Sequence, residues 1–191
     1  MVLGAVYSTV TLMSPVTDLD IAESIVAAQS GKNQDEAQSE AVDPAAQVAP
    51  VVSSVSVLSW NNDGGDHEDM AVRMIDGDGS TEWRSRWYDL NQFLDDTNIT
   101  IVVKLKEQAT VSKVTLMMDP STSGGELVVR NVSDPSNPRG GVELTSSAMS
   151  PTTTITLPEP TTTDSIALSF RSLPTSVDGN TWAWVYELAV E

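Results

Sequence analysis

The run Asp76-Gly77-Asp78-Gly79-Ser80-Thr81-Glu82-Trp83 sets two carboxylates, two glycines and hydroxyl oxygens ahead of a large apolar anchor. Such a turn suits a hard cation. Glycine lets the backbone fold back with its carbonyls pointing inward, and Ca²⁺ takes oxygen ligands of that kind. The run is not an EF-hand loop: counted from Asp76, the sixth position is Thr81 rather than Gly and the twelfth is Trp87 rather than Glu. The residues by themselves leave two readings open, a metal-stapled loop outside the EF-hand class and a plain acidic β-turn.

A second constellation follows directly. Arg84-Ser85-Arg86-Trp87-Tyr88 gathers two of the chain's 10 basic residues beside two aromatics. Together with loop residues such as Asn61 and His67, this segment could form a ligand platform. Aromatic rings would stack on the apolar face of a sugar while Arg, Asn and His bond its hydroxyls. The competing reading has Trp87 capping the end of the fold and the arginines pairing with Asp66, Glu68 or Asp89. His67, flanked by acids, reads as a solvated loop residue. Trp182 and Trp184, two apart near the C-terminus, read as core rather than as a binding platform.

Composition removes several function classes. With 27 acidic and 10 basic residues the chain carries a net charge of -17. The acidity is general: 7 acidic and 1 basic residues up to Pro50, then 20 and 9 beyond it. A surface so negative repels nucleic acid and anionic lipid headgroups, so no nucleic-acid partner is expected. No cysteine is present for a disulfide or thiolate site, and a single histidine cannot build a multi-histidine zinc centre. A glycosidase needs two carboxyls across a cleft, one of them in apolar surroundings. The acids here lie in polar, turn-like segments, and the sequence argues against an enzyme.

The elements that would position these residues are strands. Val51 to Trp60, Ile99 to Lys106, Val111 to Met118, Glu126 to Val132, Val142 to Ser147, Thr152 to Leu157, Ser165 to Phe170 and Trp182 to Val190 follow at short intervals. Pro- and Gly-containing turns such as Gly124-Gly125 and Pro158 to Pro160 separate them. In the second segment Ile99, Ile101, Val103 and Leu105 share one face. In the last, Trp182, Trp184, Tyr186, Leu188 and Val190 share one face, and Ala183, Val185, Glu187 and Ala189 the other. The fold class is therefore all-β, an antiparallel sandwich or barrel.

Upstream, residues 14–50 form an acidic low-complexity stretch without aromatics, read as a disordered linker. The apolar run Met1 to Met13 is too short to span a bilayer as a helix and lacks the basic start of a signal peptide. It reads as the end of a membrane helix or as a frayed apolar leader.

Residues 51–191 resemble coagulation-factor-5/8 type C (discoidin-like, galactose-binding-like) domains. The likeness rests on an opening strand, a polar loop, then Ala71-Val72-Arg73-Met74-Ile75-Asp76-Gly77-Asp78-Gly79-Ser80-Thr81-Glu82-Trp83, and the closing Val185-Tyr186-Glu187-Leu188-Ala189-Val190. Between them, Ile101 to Leu105 and Val111 to Leu116 are similar to the family's strand hairpin. The resemblance implies an eight-stranded jelly-roll sandwich with Trp83 in its core. It also implies a structural Ca²⁺ held by Asp76, Asp78, Thr81 and Glu187, and glycan binding at the loops of one end through Asn61, His67, Arg84, Arg86, Trp87 and Tyr88. A narrower likeness, in the order of apolar segment, linker and sandwich, is to the extracytoplasmic C-terminal domains of actinobacterial membrane proteins, including fusions to MviN-type flippases and kinase-like regions. The expected function is thus a non-catalytic module, membrane-anchored at the bacterial cell surface, that recognises carbohydrate or cell-wall polymer. The alternative is a structural or regulatory interaction domain with a vestigial sugar site, whose partner is a membrane protein in cis.

Overall fold

The computed structural model describes residues 48–191. The readings of the apolar segment and of the linker through residue 47 lie outside the described residues. Nine strands follow in order: β1 Val52–Leu58, β2 Trp83–Arg84, β3 Thr100–Met118, β4 Thr122–Ser123, β5 Glu126–Asn131, β6 Val142–Ala148, β7 Thr152–Ser172, β8 Thr175–Ser176 and β9 Trp184–Val190. Every pairing between them is antiparallel.

Two long strands organise the sandwich. The first half of β3 pairs with β1 and with the C-terminal half of β7, whereas its second half pairs with β9 and the N-terminal half of β7. Both strands therefore pass from one layer to the other, giving layers ordered β1-β3-β7-β5-β6 and β2-β9-β3-β7. Register slips between Lys104 and Ala109 and between Val111 and Lys113 mark the corner. Strands switch layers through bulges and bends of this kind. The slip also changes which residues face inward: Ile101, Val103, Leu105, Ala109 and Val111 on one side of it, then Val114, Leu116 and Met118.

This corrects the expected hairpin between Ile101–Leu105 and Val111–Leu116. No reversal exists there, because Glu107 and Gln108 form an exposed bend within one strand. In the same way Pro158 to Pro160 bend β7 and do not end it. Proline forbids a ladder bond from its own nitrogen, but it sits comfortably where pairing is already interrupted. The expected sandwich stands, but β3 and β7 each join two of the expected segments into one long strand.

A further slip, between Met117 and Met118, changes the parity of β9. Ala183 and Val185 point inward before it, and Leu188 and Val190 after it. Trp182 and Trp184 consequently lie half-buried on the outer face, contrary to the expectation of core. Their rings meet edge to face at 5.5 Å, Tyr186 stacks on Trp184 at 6.4 Å, and the Arg84 guanidinium lies 5.5 Å from the Trp184 ring centre. Trp83 is the true anchor. It is fully buried against Phe170 of the other layer, with ring centres 6.3 Å apart, and its indole N–H donates to the Asp66 carbonyl at 2.9 Å.

Candidate functional site

Three connections gather at one end of the sandwich. The loop after β1 is tied to the β2–β3 connection by Asn61 N–H donating to the Thr97 carbonyl at 3.0 Å. That connection is tied in turn to the segment before β9 by Tyr88 N–H donating to Thr181 O at 2.9 Å, and to the end of β7 by Phe93 N–H donating to Arg171 O at 3.0 Å. Fixing so irregular a stretch needs internal partners, since unpaired backbone groups under cover are costly.

Asp66 supplies those partners. Its carboxylate is completely buried and accepts Trp60 N–H at 3.0 Å, Arg86 N–H at 3.2 Å and the Tyr88 hydroxyl at 2.7 Å and 2.8 Å to its two oxygens. The Asp66 backbone N–H donates to Ser59 Oγ at 3.0 Å, while Glu68 accepts from the same hydroxyl at 2.8 Å. The polar run Asn61–Asp69 thus folds around one carboxylate and leads into a 3₁₀ segment, Glu68–Ile75, to which the sequence reading assigned no helical turn.

Arg86 lies across this hub. It pairs with Asp63, approaches Asp66 at 3.8 Å, donates from Nε to the Tyr88 hydroxyl at 2.9 Å, and faces the rings of Tyr88 at 5.2 Å and Trp60 at 5.8 Å. Gly65 makes room for it, because a Cβ there would collide with the guanidinium. Burial alone would lower the pKa of Arg86, but the bonds to Asp63 and Tyr88 and the charge of Asp66 raise it. The same guanidinium, chiefly through its hydrogen bond, holds the Asp63 carboxyl below its usual range. Burial, and then the hydrogen bond to Asp66, push the Tyr88 phenol up.

The network presents an aromatic surface. Tyr88 meets Trp60 edge-on at 6.2 Å and Phe93 at 5.1 Å. Trp60, Tyr88, Asp89, Leu90, Gln92 and Phe93 line a cavity of about 220 Å³, and a neighbouring one of about 380 Å³ is walled by Leu90 to Leu94. Trp87 is 59% exposed, Leu90 76% and Leu94 72%. Large apolar side chains this exposed, within a few residues of one another over a polar scaffold, point to a binding surface.

The residues singled out in the sequence separate into three places. Arg86, Trp87 and Tyr88 come together at this end with Asn61. His67 is exposed nearby in a left-handed conformation, φ 50°. Arg84 points away from them, onto Trp184. Sequence reasoning missed Asp66 as the organiser, Phe93 and Asp89 in the cavity wall, and Arg139. The last is 8% exposed in the β5–β6 connection and donates to Asn98 O at 2.8 Å, Asn62 Oδ1 at 2.7 Å and Ser59 O at 2.6 Å. Burial lowers its pKa, with Asp96 opposing. It borders a groove of about 530 Å³ that contains no aromatic side chain and so offers no stacking surface. The Pro138-Arg139-Gly140-Gly141 turn carried no signal of that role.

The Asp76–Thr81 turn lies elsewhere and is internally bonded. Asp76 accepts Asp78 N–H at 2.9 Å and the Thr81 hydroxyl at 2.8 Å, and Asp78 accepts Ser80 N–H at 3.0 Å and its hydroxyl at 2.6 Å. Gly77 adopts φ 76°, which favours glycine. Burial raises the pKa of Glu187, followed by the nearby charges of Asp76 and Asp78, with the Gly77 N–H acting the other way. The Glu187 Oε1 atom is covered and has no hydrogen-bond partner. Among the described residues no three Asp, Glu or His side chains converge to chelate a metal by themselves. A cation here would draw on the Thr81 hydroxyl and on backbone carbonyls as well, and the orphaned Glu187 oxygen fits that donor set.

The sequence matches no protein-family profile and no curated relative. Solved structures do match. "CBM32 of AlyQ in complex with 4,5-unsaturated mannuronic acid" superposes with a TM-score of 0.52 at 18% identity, covering 74% of this chain and 95% of that one. A pectin-binding carbohydrate-binding module gives 0.53 at 13% identity, over 75% and 92% of the two chains. CpGH89CBM32-5 from Clostridium perfringens, in complex with GalNAc-β-1,3-galactose, gives 0.52 at 17% identity, over 72% and 93%. At these identities the likeness speaks to architecture. The described chain has the galactose-binding-like β-sandwich fold of these carbohydrate-binding modules.

Proposed function

We propose that residues 51–191 form a non-catalytic carbohydrate-binding module whose ligand sits at the Trp60–Tyr88–Phe93 cavity, with Trp87 as an outer stacking surface. The observation that carries this is the exposed aromatic patch, held in place from below by the buried Asp66–Arg86–Tyr88 network. Rigid aromatics over satisfied polar groups bind the faces of pyranose rings at little entropic cost. That solved neighbours of the same fold are carbohydrate-binding modules supports the reading. Asn61 and His67 lie within the same group of loops and would bond sugar hydroxyls from its rim. A glycan array, followed by calorimetry of the best ligand with Trp60→Ala and Tyr88→Ala, tests it. Loss of binding in both variants is expected; a null array with the native chain contradicts it.

Two further parts belong to the same reading. A structural Ca²⁺ held by Asp76, Asp78, Thr81 and Glu187 would neutralise a local excess of carboxylates and join the first turn to the last strand. The location is extracytoplasmic, with the domain membrane-anchored at the cell surface and presented to cell-wall glycan. The order of segments along the chain supports this. No helix among the described residues is long and apolar enough to cross a membrane.

Leu90 and Leu94 favour a second reading. Aliphatic residues this exposed suit a protein contact better than a sugar, as in an interaction domain docking on a membrane protein in cis. Retention of partner binding by Tyr88→Ala, with loss in Leu90→Ser, would favour it.

A further inference from the structure

We infer that the ligand of the aromatic cavity is a glycan bearing protonated amines; this rests on the carbohydrate reading above and specifies its class. Asp89 lines the cavity with the three aromatic side chains, is exposed, and makes neither a hydrogen bond nor an ion pair among the described residues. Among the described residues no free cation balances it: Arg73 reaches the Glu82 carbonyl, and Arg84 lies over the Trp184 ring. Arg86 is committed to Asp63, Asp66 and Tyr88. Arg139 is buried and bonded to three oxygens. Arg130 and Arg171 share Asp95 and Glu143, and Arg171 also pairs with Glu126. The described lysines, at positions 104, 106 and 113, all stand on β3, outside these loops.

An anionic sugar entering the cavity therefore meets a carboxylate and no available guanidinium. An ammonium group meets the reverse. Aromatic faces attract it through their quadrupole, and an unpaired carboxylate beside them completes the recognition. The surrounding field acts in the same sense, because the chain beyond Pro50 carries 20 acidic against 9 basic residues. Neutral sugars would gain the stacking alone.

Calorimetry on the native chain with three probes tests this: short β-1,4-linked glucosamine oligomers, their N-acetylated counterparts, and galacturonate oligomers of equal length, at mildly acid pH. The free-amine oligomer is expected to bind about tenfold more tightly than its N-acetylated counterpart at low salt, with the galacturonate weakest. The preference should collapse in molar salt, where the screening length is about 3 Å. Asp89→Asn should narrow it about threefold or more. Asp164→Asn, the same charge change on β7 outside the cavity, should leave it intact. Equal or tighter binding of the N-acetylated or galacturonate oligomer, abolished by Trp60→Ala, would overturn the amine preference while leaving the carbohydrate site standing. Binding of none of the three, with an array equally silent, would overturn both.

Discussion

Replacing Asp66 by alanine should cost far more than an ordinary loop substitution. The truncation strands three donors, Trp60 N–H, Arg86 N–H and the Tyr88 hydroxyl, now bonded at 2.7–3.2 Å to a carboxylate with no solvent exposure. An unsatisfied buried donor costs about 1–3 kcal/mol. The half-exposed rings of Trp60 and Tyr88 would admit some water, which favours the lower figure, about 1 kcal/mol each. The loss of a charge partner for Arg86 at 3.8 Å is partly offset by Asp63. The total is about 3–4 kcal/mol, within the range for breaking a buried ion pair. For a domain of this size that corresponds to a fall of roughly 10–15 °C in Tm. Asp66→Asn keeps the shape but turns an amide toward N–H donors, and should lose about half as much. Urea unfolding followed by tryptophan fluorescence measures both. The Trp83 bond survives in each variant, since its acceptor is the Asp66 backbone carbonyl. A loss under about 1 kcal/mol in Asp66→Ala would refute the idea that this carboxylate holds the loops together.

Other outcomes follow from the same geometry. Millimolar Ca²⁺ should raise Tm by several degrees, as expected for a ligand at about a hundred times its Kd. Asp76→Ala and Glu187→Ala should abolish the increment, and a melt unchanged by EDTA would count against the clasp. Asp63→Asn should cost about 0.5–1 kcal/mol at neutral pH, since the pair is partly exposed. Arg86 depresses the folded-state pKa of Asp63, so the contribution is present above the unfolded carboxyl range, near 4, and disappears as pH falls through the lower folded value. Native and variant stabilities should therefore converge in acid; a difference that persists there assigns the effect to something else. Trp83→Phe keeps a ring in the core but loses the bond to Asp66 O and leaves a cavity beside Phe170, a loss of about 2–4 kcal/mol by chemical denaturation.

The strands were legible because their inward residues alternate, and Trp83 was legible as an anchor because it follows a tight glycine turn. The joins were not. Pro158 to Pro160 look the same in sequence whether they end a strand or bend one, and only the pairing of β7 with both halves of β3 distinguishes the two. Trp182 and Trp184 were assigned to the core on period alone, but the slip at Met117–Met118 reverses the inward set within β9, and no local signal announces a bulge. At the site, the Arg86–Trp87–Tyr88 run was visible as arginine beside aromatics in an acidic chain. Asp66 was invisible as its organiser, being one acid among several in a polar loop whose burial depends on partners 20 or more residues away. Arg139, 80 residues from Ser59, was beyond reach for the same reason.

The most direct measurement is the movement of tryptophan indole N–H signals in a two-dimensional ¹⁵N spectrum during glycan titration. The chain has five tryptophans, and single Trp→Phe variants assign their signals. The account predicts that Trp60 and Trp87 shift and saturate together, while buried Trp83 and the β9 pair Trp182 and Trp184 stay in place. A bound glycan that moves only Trp182 and Trp184 would contradict it, by placing the site on the outer sheet face and leaving the aromatic cavity without a ligand.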